Sequence, residues 1–317
     1  MATAGHNHDA LVAARGLTRR YGATTALAGL DLTLRAGEVL GLLGPNGAGK
    51  TTTLRMLAGC LAPSAGSVHI RGVDLAAYPT RAKAALGYLP EHPPLYPEQT
   101  VDEYLRFCAR LHRLPRGRRA DAVASAKRDC GLDEVGRRLI ANLSKGFKQR
   151  VGIAQAIVHR PDVVILDEPT IGLDPHQVRG IRALIRRLAR DHSVIVSSHI
   201  LSEIQASCAR VAILHAGRLV FDRSMDEIAA APDALILGLS RPPAAQALHE
   251  LPGVDAVETL GAGRFRLACE SNPETREALA AEAMEKGWGL VELRADRKTL
   301  EQIFLELTSG DAAGQAA

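Results

Sequence analysis

Up to about residue 230 the chain repeats one pattern: a short run of β-branched or leucine residues, then a longer stretch with helical spacing. The runs "EVLGLLG", "VVILD", "SVIVSSH" and "RVAILH" are apolar at successive rather than alternate positions, as in strands covered on both faces. Their alternation with helices predicts an α/β core built on a largely parallel sheet. Pro175 to Arg190 illustrates the helical half. Val178, Ile181, Ile185 and Leu188 share one stripe, while Arg179, Arg182, Arg186 and Arg190 fall away from it, as on a solvated face.

Beyond "AAAPD" the pattern changes to strand ("ALILGLS"), helix ("PAAQALHE"), strand ("VDAVETL"), strand ("RFRLACE"), helix ("ETREALAAEAMEKG") and strand ("GLVELRA"). Gly261 and Gly263 mark a hairpin between the middle strands. This βαββαβ order predicts a second, ferredoxin-like α+β domain over residues 231–308, after a first domain over 11–230. A last helix, "KTLEQIFLELT", repeats Leu300, Ile303, Phe304 and Leu307 at helical spacing and should dock on an apolar surface. Residues 1–10 and 309–317 are small and polar and are expected to be tails; a terminal His6 and His8 fit a tail better than a metal site.

Composition narrows the class. Lysine and arginine number 39 against 35 acids, a net +4, too small an excess to imply nucleic acid. The five cysteines are scattered, with no Cys-x-x-Cys pair, so neither a disulfide framework nor a zinc site is expected and a reducing compartment is the natural one. The first ten residues lack the basic start and apolar core expected of a signal peptide, and no window is apolar over the length of a membrane span.

The strongest chemistry lies in Gly44-Pro45-Asn46-Gly47-Ala48-Gly49-Lys50-Thr51, which fits G-x-x-x-x-G-K-[ST] between a strand, "VLGLL", and a helical run, "TTTLRMLAG", whose second residue, Thr52, also belongs to the expected ATP-binding set. Glycines let backbone N–H groups close on phosphate oxygens, Lys50 places charge on the β- and γ-phosphates, and the Thr51 hydroxyl can ligate Mg2+. The strand "VVIL" ends in Asp167 and Glu168. The pleat sends adjacent side chains apart, so Asp167 can face magnesium while Glu168 activates water at the γ-phosphate. A second stretch, "LSKGFKQR" from Leu143 to Arg150, also reads as an anion-attracting helix start: Ser144 as cap, Lys145 and Lys148 close behind, Gly146 at the second helical position.

These motifs resemble the ATP-binding subunit of an ABC transporter, over about residues 11–225. The resemblance implies a P-loop ATPase core with an antiparallel β subdomain near the start and a helical subdomain around residues 95–160. It also implies a use for the second helix start. In that family it is the signature motif, usually LSGGQ, which binds the γ-phosphate of ATP held by the other subunit of a head-to-tail dimer; Ser144 and Gly146 match it, and Lys145 and Phe147 depart from it. Tyr21 falls where the family stacks an aromatic ring on adenine. His199 matches the switch histidine on the γ-phosphate, although by itself a satisfied core histidine would explain it. Asp174 matches a loop that crosses the dimer boundary, although it could equally cap the helix from Pro175. Glu91 stands where the family commonly has a glutamine that touches magnesium and relays nucleotide state to the permease.

Glu91 together with "LSKGF", "TIGLDP" and the terminal "LEQIFLELT" is similar to exporter ATPases of gliding-motility and multidrug or antibiotic-resistance systems. The resemblance implies ATP and Mg2+ as ligands, a homodimer or a heterodimer with a second ATPase subunit, and a separate polytopic permease holding the protein at the cytoplasmic face of the membrane. ABC ATPases that act on ribosomes or DNA are the alternative. Those fuse two cassettes or carry long coiled coils, and this chain has one phosphate loop and no heptads. The arginine-rich stretch Arg106 to Val123 is expected to be a solvated helix face, the sharper option being contact with anionic lipid or a permease loop.

Overall fold

The structure, a computed structural model, describes residues 10–230, 234–269, 273–296 and 299–309; His6 and His8 lie outside them. The chain divides into two compact units, one running to Arg223 and the other from Ser224.

In the first unit, β1 (Ala10–Tyr21), β2 (Thr24–Arg35), β4 (Ala65–Ile70) and β5 (Val73–Asp74) form an antiparallel sheet in the order β2-β1-β4-β5. Between β2 and β4 the chain runs through β3 (Val39–Leu43) and α1 (Lys50–Leu57), and β3 belongs to a different sheet. That second sheet continues with β6 (Leu86–Leu89), β7 (Val163–Leu166), β8 (Ser193–Ser198), β9 (Arg210–His215) and β10 (Arg218–Ser224), in the order β10-β9-β3-β8-β7-β6. Its β9-β3-β8-β7-β6 part is parallel throughout. Every residue of β3, β7 and β8 is buried: with both faces covered, β3 and β7 are unbroken apolar runs, and the buried Ser193, Ser197 and Ser198 of β8 each have a hydrogen-bond partner. Leu17, Leu30, Leu54, Leu57, Ile70, Ile165 and Ile195 share one core, so α1 is packed between the two sheets.

Between β6 and β7 lie α3 (Val101–Leu111), α4 (Arg116–Cys130) and α5 (Lys145–Ile157), after a short α2 (Pro79–Lys83) that precedes β6. A reciprocal cap starts α3: Thr100 Oγ1 accepts from Glu103 N at 3.3 Å and Glu103 Oε2 accepts from Thr100 N at 2.8 Å. Then α6 (Pro175–Leu188) follows β7, and α7 (Leu201–Ser207) follows β8. On α6, Ile181, Leu184, Ile185 and Leu188 are buried, Val178 only partly. Arg179 and Arg186 are exposed as expected, and so is Arg190 beyond the helix. Arg182 corrects the expectation of a fully solvated face: it is half-buried, and its Nε is enclosed with no partner among the described residues.

The second unit opens with α8 (Met225–Ala230) and continues as β11 (Ala234–Leu239), α9 (Ala245–His249), β12 (Val254–Gly261), β13 (Arg264–Cys269), α10 (Pro273–Glu285), β14 (Leu290–Asp296) and α11 (Leu300–Ser309). Its sheet is antiparallel in the order β12-β13-β11-β14, the ferredoxin-like arrangement. Strict alternation on β13 buries Phe265, Leu267 and Cys269 with Leu235, Leu237, Leu248 and Leu279, while Arg264 and Arg266 lie on the opposite side and pair with Glu292, Asp296 and Glu258. No helix among the described residues is long and apolar enough to cross a membrane.

Candidate functional site

Parallel strands deliver their C-terminal ends to one edge, and in this sheet β3, β6, β7 and β8 do so in register: Leu43 lies beside Ser198, Leu166 beside Val196, and Leu89 beside Leu166. The residues that follow each strand therefore gather at that edge. A cavity of about 520 Å³ there is lined by Asn46 to Thr52, with Ala26, Glu91, Glu168, Ile171 and His199.

The loop after β3 ends at Gly49, whose φ of 103° only glycine adopts comfortably and which starts α1 with no side-chain cap. Gly44 is required for a different reason: a Cβ there would collide with the Leu214 carbonyl oxygen. With no acid in its first turn and no cap, α1 presents free N–H groups to the cavity, which favours an anion. The Lys50 ammonium is buried, donating to the Gly44 and Pro45 carbonyls at 2.8 and 3.2 Å and lying 3.5 Å from Glu168 Oε1.

Asp167 is fully buried at the end of β7. Its Oδ1 accepts from Ser197 Oγ at 2.6 Å, whereas Oδ2 is enclosed with no hydrogen-bond partner among the described residues. Burial pushes its carboxyl above the ordinary aspartate range, opposed by the Ser197 and Thr51 hydroxyls; the charge of Glu91 pushes the same way as burial, and Lys50 opposes it. Such an atom is suited to a cation. Glu168 is buried too and has a φ of 45°, a conformation costing a non-glycine residue about 1–3 kcal/mol. Its N–H donates to Ser197 Oγ at 2.8 Å, and its Oε2 lies 3.0 Å from His199 Nδ1. Lysine, carboxylate and imidazole thus form a chain, Lys50 to Glu168 to His199, on one side of the cavity.

Other sequence candidates lie elsewhere. Tyr21 is 47% exposed at the end of β1, with the Arg19 guanidinium over its ring 4.6 Å from the centroid, and it does not line the cavity. Ser144 caps α5, its Oγ accepting from Phe147 N at 3.4 Å, and none of Ser144, Lys145, Gly146 or Phe147 lines the cavity. Gly146 is buried against the Gln177 side chain, and the Lys145 ammonium packs against Gly172, in the loop between Glu168 and α6. Asp174 caps α6, with Oδ1 accepting from Gln177 N at 2.9 Å. Arg106, Arg110, Arg116 and Arg119 line a separate open cavity of about 680 Å³ together with Glu98 and Glu103.

Sequence reasoning did not single out Ser197 or Glu203. Ser197 joins the two acids through one hydroxyl. Glu203 is buried and accepts from Thr170 and Ser198. The available signal was the second serine before His199 and an acid one helical turn after it, "SSHILSE".

A phosphate-cradling loop, paired acids at the end of one strand and a histidine at the end of the next define a nucleoside-triphosphate hydrolase of the phosphate-loop class. More narrowly, the chain belongs to the ATP-binding proteins of ABC transporters. The family model described as "ABC transporter" matches residues 27–171. The chain is 35% identical over 301 residues to the ABC transporter ATP-binding protein YhcH of Bacillus subtilis (strain 168), covering 93% of this chain and 94% of that one. It is 30% identical over 305 residues to the linearmycin resistance ATP-binding protein LnrL of the same organism, covering 94% and 98%. A solved structure of an ATP-binding subunit of an ABC transporter superposes with a TM-score of 0.62 at 32% identity, over 69% of this chain and 91% of that one. The protein is the ATP-binding, ATP-hydrolysing subunit of an ABC transporter.

Proposed function

We propose that two copies close head to tail around two ATP molecules, each copy supplying the loop, acids and histidine to one nucleotide and its Ser144 helix start to the other. One observation carries this: Lys50, Glu168 and His199 share a cavity that Ser144 and Gly146 do not line, so the second anion-attracting helix start lacks any acid or histidine of its own site. A twofold pair supplies what each copy lacks. Two copies of this chain are the simplest pair, and a heterodimer with a second ATPase subunit would use the same geometry.

Within each site the free N–H groups of α1 and the Lys50 ammonium hold the β- and γ-phosphates. Glu168 orients water for in-line attack and takes its proton. His199 Nδ1, 3.0 Å from Glu168 Oε2, donates to that carboxylate and holds it in place, and with the ring protonated Nε2 donates to the γ-phosphate as charge develops. The exposed ring of Tyr21 offers a surface for the adenine. Thr51, Asp167 and Glu91 would hold Mg2+, and the enclosed, unpartnered Asp167 Oδ2 fits that use; bound there, the ion neutralises charge on the phosphates. Asp174 and its loop would lie at the boundary between copies.

Closure and reopening of the pair would drive a separate membrane permease, so the protein works at the cytoplasmic face of the membrane. The relative named for linearmycin resistance supports export. ATPase rate per chain should rise steeply with protein concentration and with ATP. A rate per chain that stays constant on dilution into demonstrable monomers would refute the shared site.

A further inference from the structure

Glu203 sits on the first turn of α7, four residues past His199, and is buried. Among the described residues no ion pair reaches it. Its Oε2 instead accepts two hydroxyl hydrogen bonds, from Thr170 Oγ1 at 2.5 Å and from Ser198 Oγ at 2.9 Å. The donors belong to the two segments that carry the Glu168–His199 pair. Thr170 lies two residues after Glu168 and is itself buried; Ser198 directly precedes His199, and its Oγ also accepts from Ile200 N at 3.0 Å. The loop leaving β7 and the backbone on both sides of His199 are therefore tied to one oxygen atom.

Filling space does not call for such a side chain. Burying a carboxyl group away from water and cations is costly unless hydrogen bonds replace its hydration, and a leucine or methionine would fill the same volume at less cost. What the carboxyl group supplies is a directional link between segments that are about 30 positions apart in sequence. Glu168 has particular need of that link, since its φ of 45° persists only where surrounding contacts enforce it.

We propose that Glu203 is a positioning residue for hydrolysis: by holding Thr170 and Ser198 together it keeps Glu168 and His199 at the separation where the carboxylate can orient water and the histidine can reach the γ-phosphate. It touches neither substrate nor reacting atoms. The inference rests on the reading of Glu168 and His199 given above.

The test measures ATP turnover of the full-length chain across ATP concentrations. Glu203→Ala is expected to lower kcat about tenfold or more, because small misplacements of reacting groups are costly, while KM for ATP stays within about twofold. Thr170→Val should do the same, and the double variant should be no slower than the slower single one, as for two ends of one contact. Glu203→Gln should recover most of the rate, its carboxamide oxygen accepting from both hydroxyls. Wild-type turnover in Glu203→Ala, a rise in KM matching the fall in kcat, or losses that multiply in the double variant would each overturn the proposal. Should Glu203→Ala fail to fold, judged by its thermal unfolding, Thr170→Val decides alone, and an unchanged kcat there overturns the proposal. Glu168→Gln run in the same assay separates the two readings. If it hydrolyses at the wild-type rate, the assignment of Glu168 fails; if it is inactive while Glu203→Ala and Thr170→Val are normal, only the role of Glu203 fails.

Discussion

α1 and α5 both begin beside positive charge with a glycine close by, and the chain finishes them differently. α1 starts at Gly49 without a side-chain cap and faces a cavity that Glu91, Glu168 and His199 also line. α5 starts after a tight turn over Ile140–Asn142, is capped by the Ser144 hydroxyl, and has the exposed Lys145 and Phe147 in its first turn. The difference comes from topology. α1 follows a parallel strand, so neighbouring strands deliver their acids and histidine to the same edge. α5 follows a loop, where no strand end brings a reacting group. A helix N-terminus provides polarity toward an anion; bond cleavage needs further groups at defined distances, and only the sheet edge supplies them.

The largest effect should come from removing the reacting group on the α1 side. Glu168→Gln keeps the shape of the side chain but loses the base, so hydrolysis should fall about 100-fold or more while ATP binding remains. Light scattering with ATP should then show a dimer that persists. A variant that turns over normally would remove the main distinction between the two helix starts.

Ser144→Ala probes the α5 side. It should slow hydrolysis at saturating ATP about tenfold, the scale of one charge-assisted hydrogen bond, and leave ATP affinity of the monomer unchanged. Weakened binding of ATP to the monomer would mean that α5 serves the same copy after all.

The smallest effect lies at the far end of α5. His159 Nε2 meets the Leu86 carbonyl at 2.9 Å, and its ring stacks on His112 at 3.6 Å between centroids. Burial, and secondarily the neighbouring His112, push the His159 pKa down from 6.5 to about 4. The folded state thus favours the neutral ring, and the unfolded state binds more protons below pH 6.5. Stability contributed by this group is complete above pH 6.5 and is lost as pH falls toward 4. The unfolding temperature should decline across that window, and His159→Gln should flatten the decline; an identical decline in the variant would exclude His159 as its source.

The parallel sheet of the first unit was legible because its central strands β3, β7 and β8 are buried on both faces. An unbroken apolar run such as "VVIL" followed by two acids marks both a central strand and the edge where it ends. The second unit was legible through alternation, as on β13. The contacts that join distant segments were not. Arg182 looks like its solvated neighbours in sequence, yet its Nε is enclosed. Lys145 looks confined to its own helix start, yet its ammonium reaches Gly172 in the loop before α6. Ser197 and Glu203 carry only the weak local signal of "SSHILSE", and their roles arise from which side chains the strand order places beside them.

By itself the sequence determined what depends on neighbouring residues: the uncapped glycine start of α1, the paired acids after β7, the serine cap of α5 and the periods of strands and helices. These are consequences of backbone conformation and side-chain type over a few positions. Only the tertiary structure decided that β3, β6, β7 and β8 end at one edge, that Glu168 lies between Lys50 and His199, and that Ser144 lies outside their cavity. Strand order and register set those distances, and they are fixed by packing across the whole unit rather than by any segment alone.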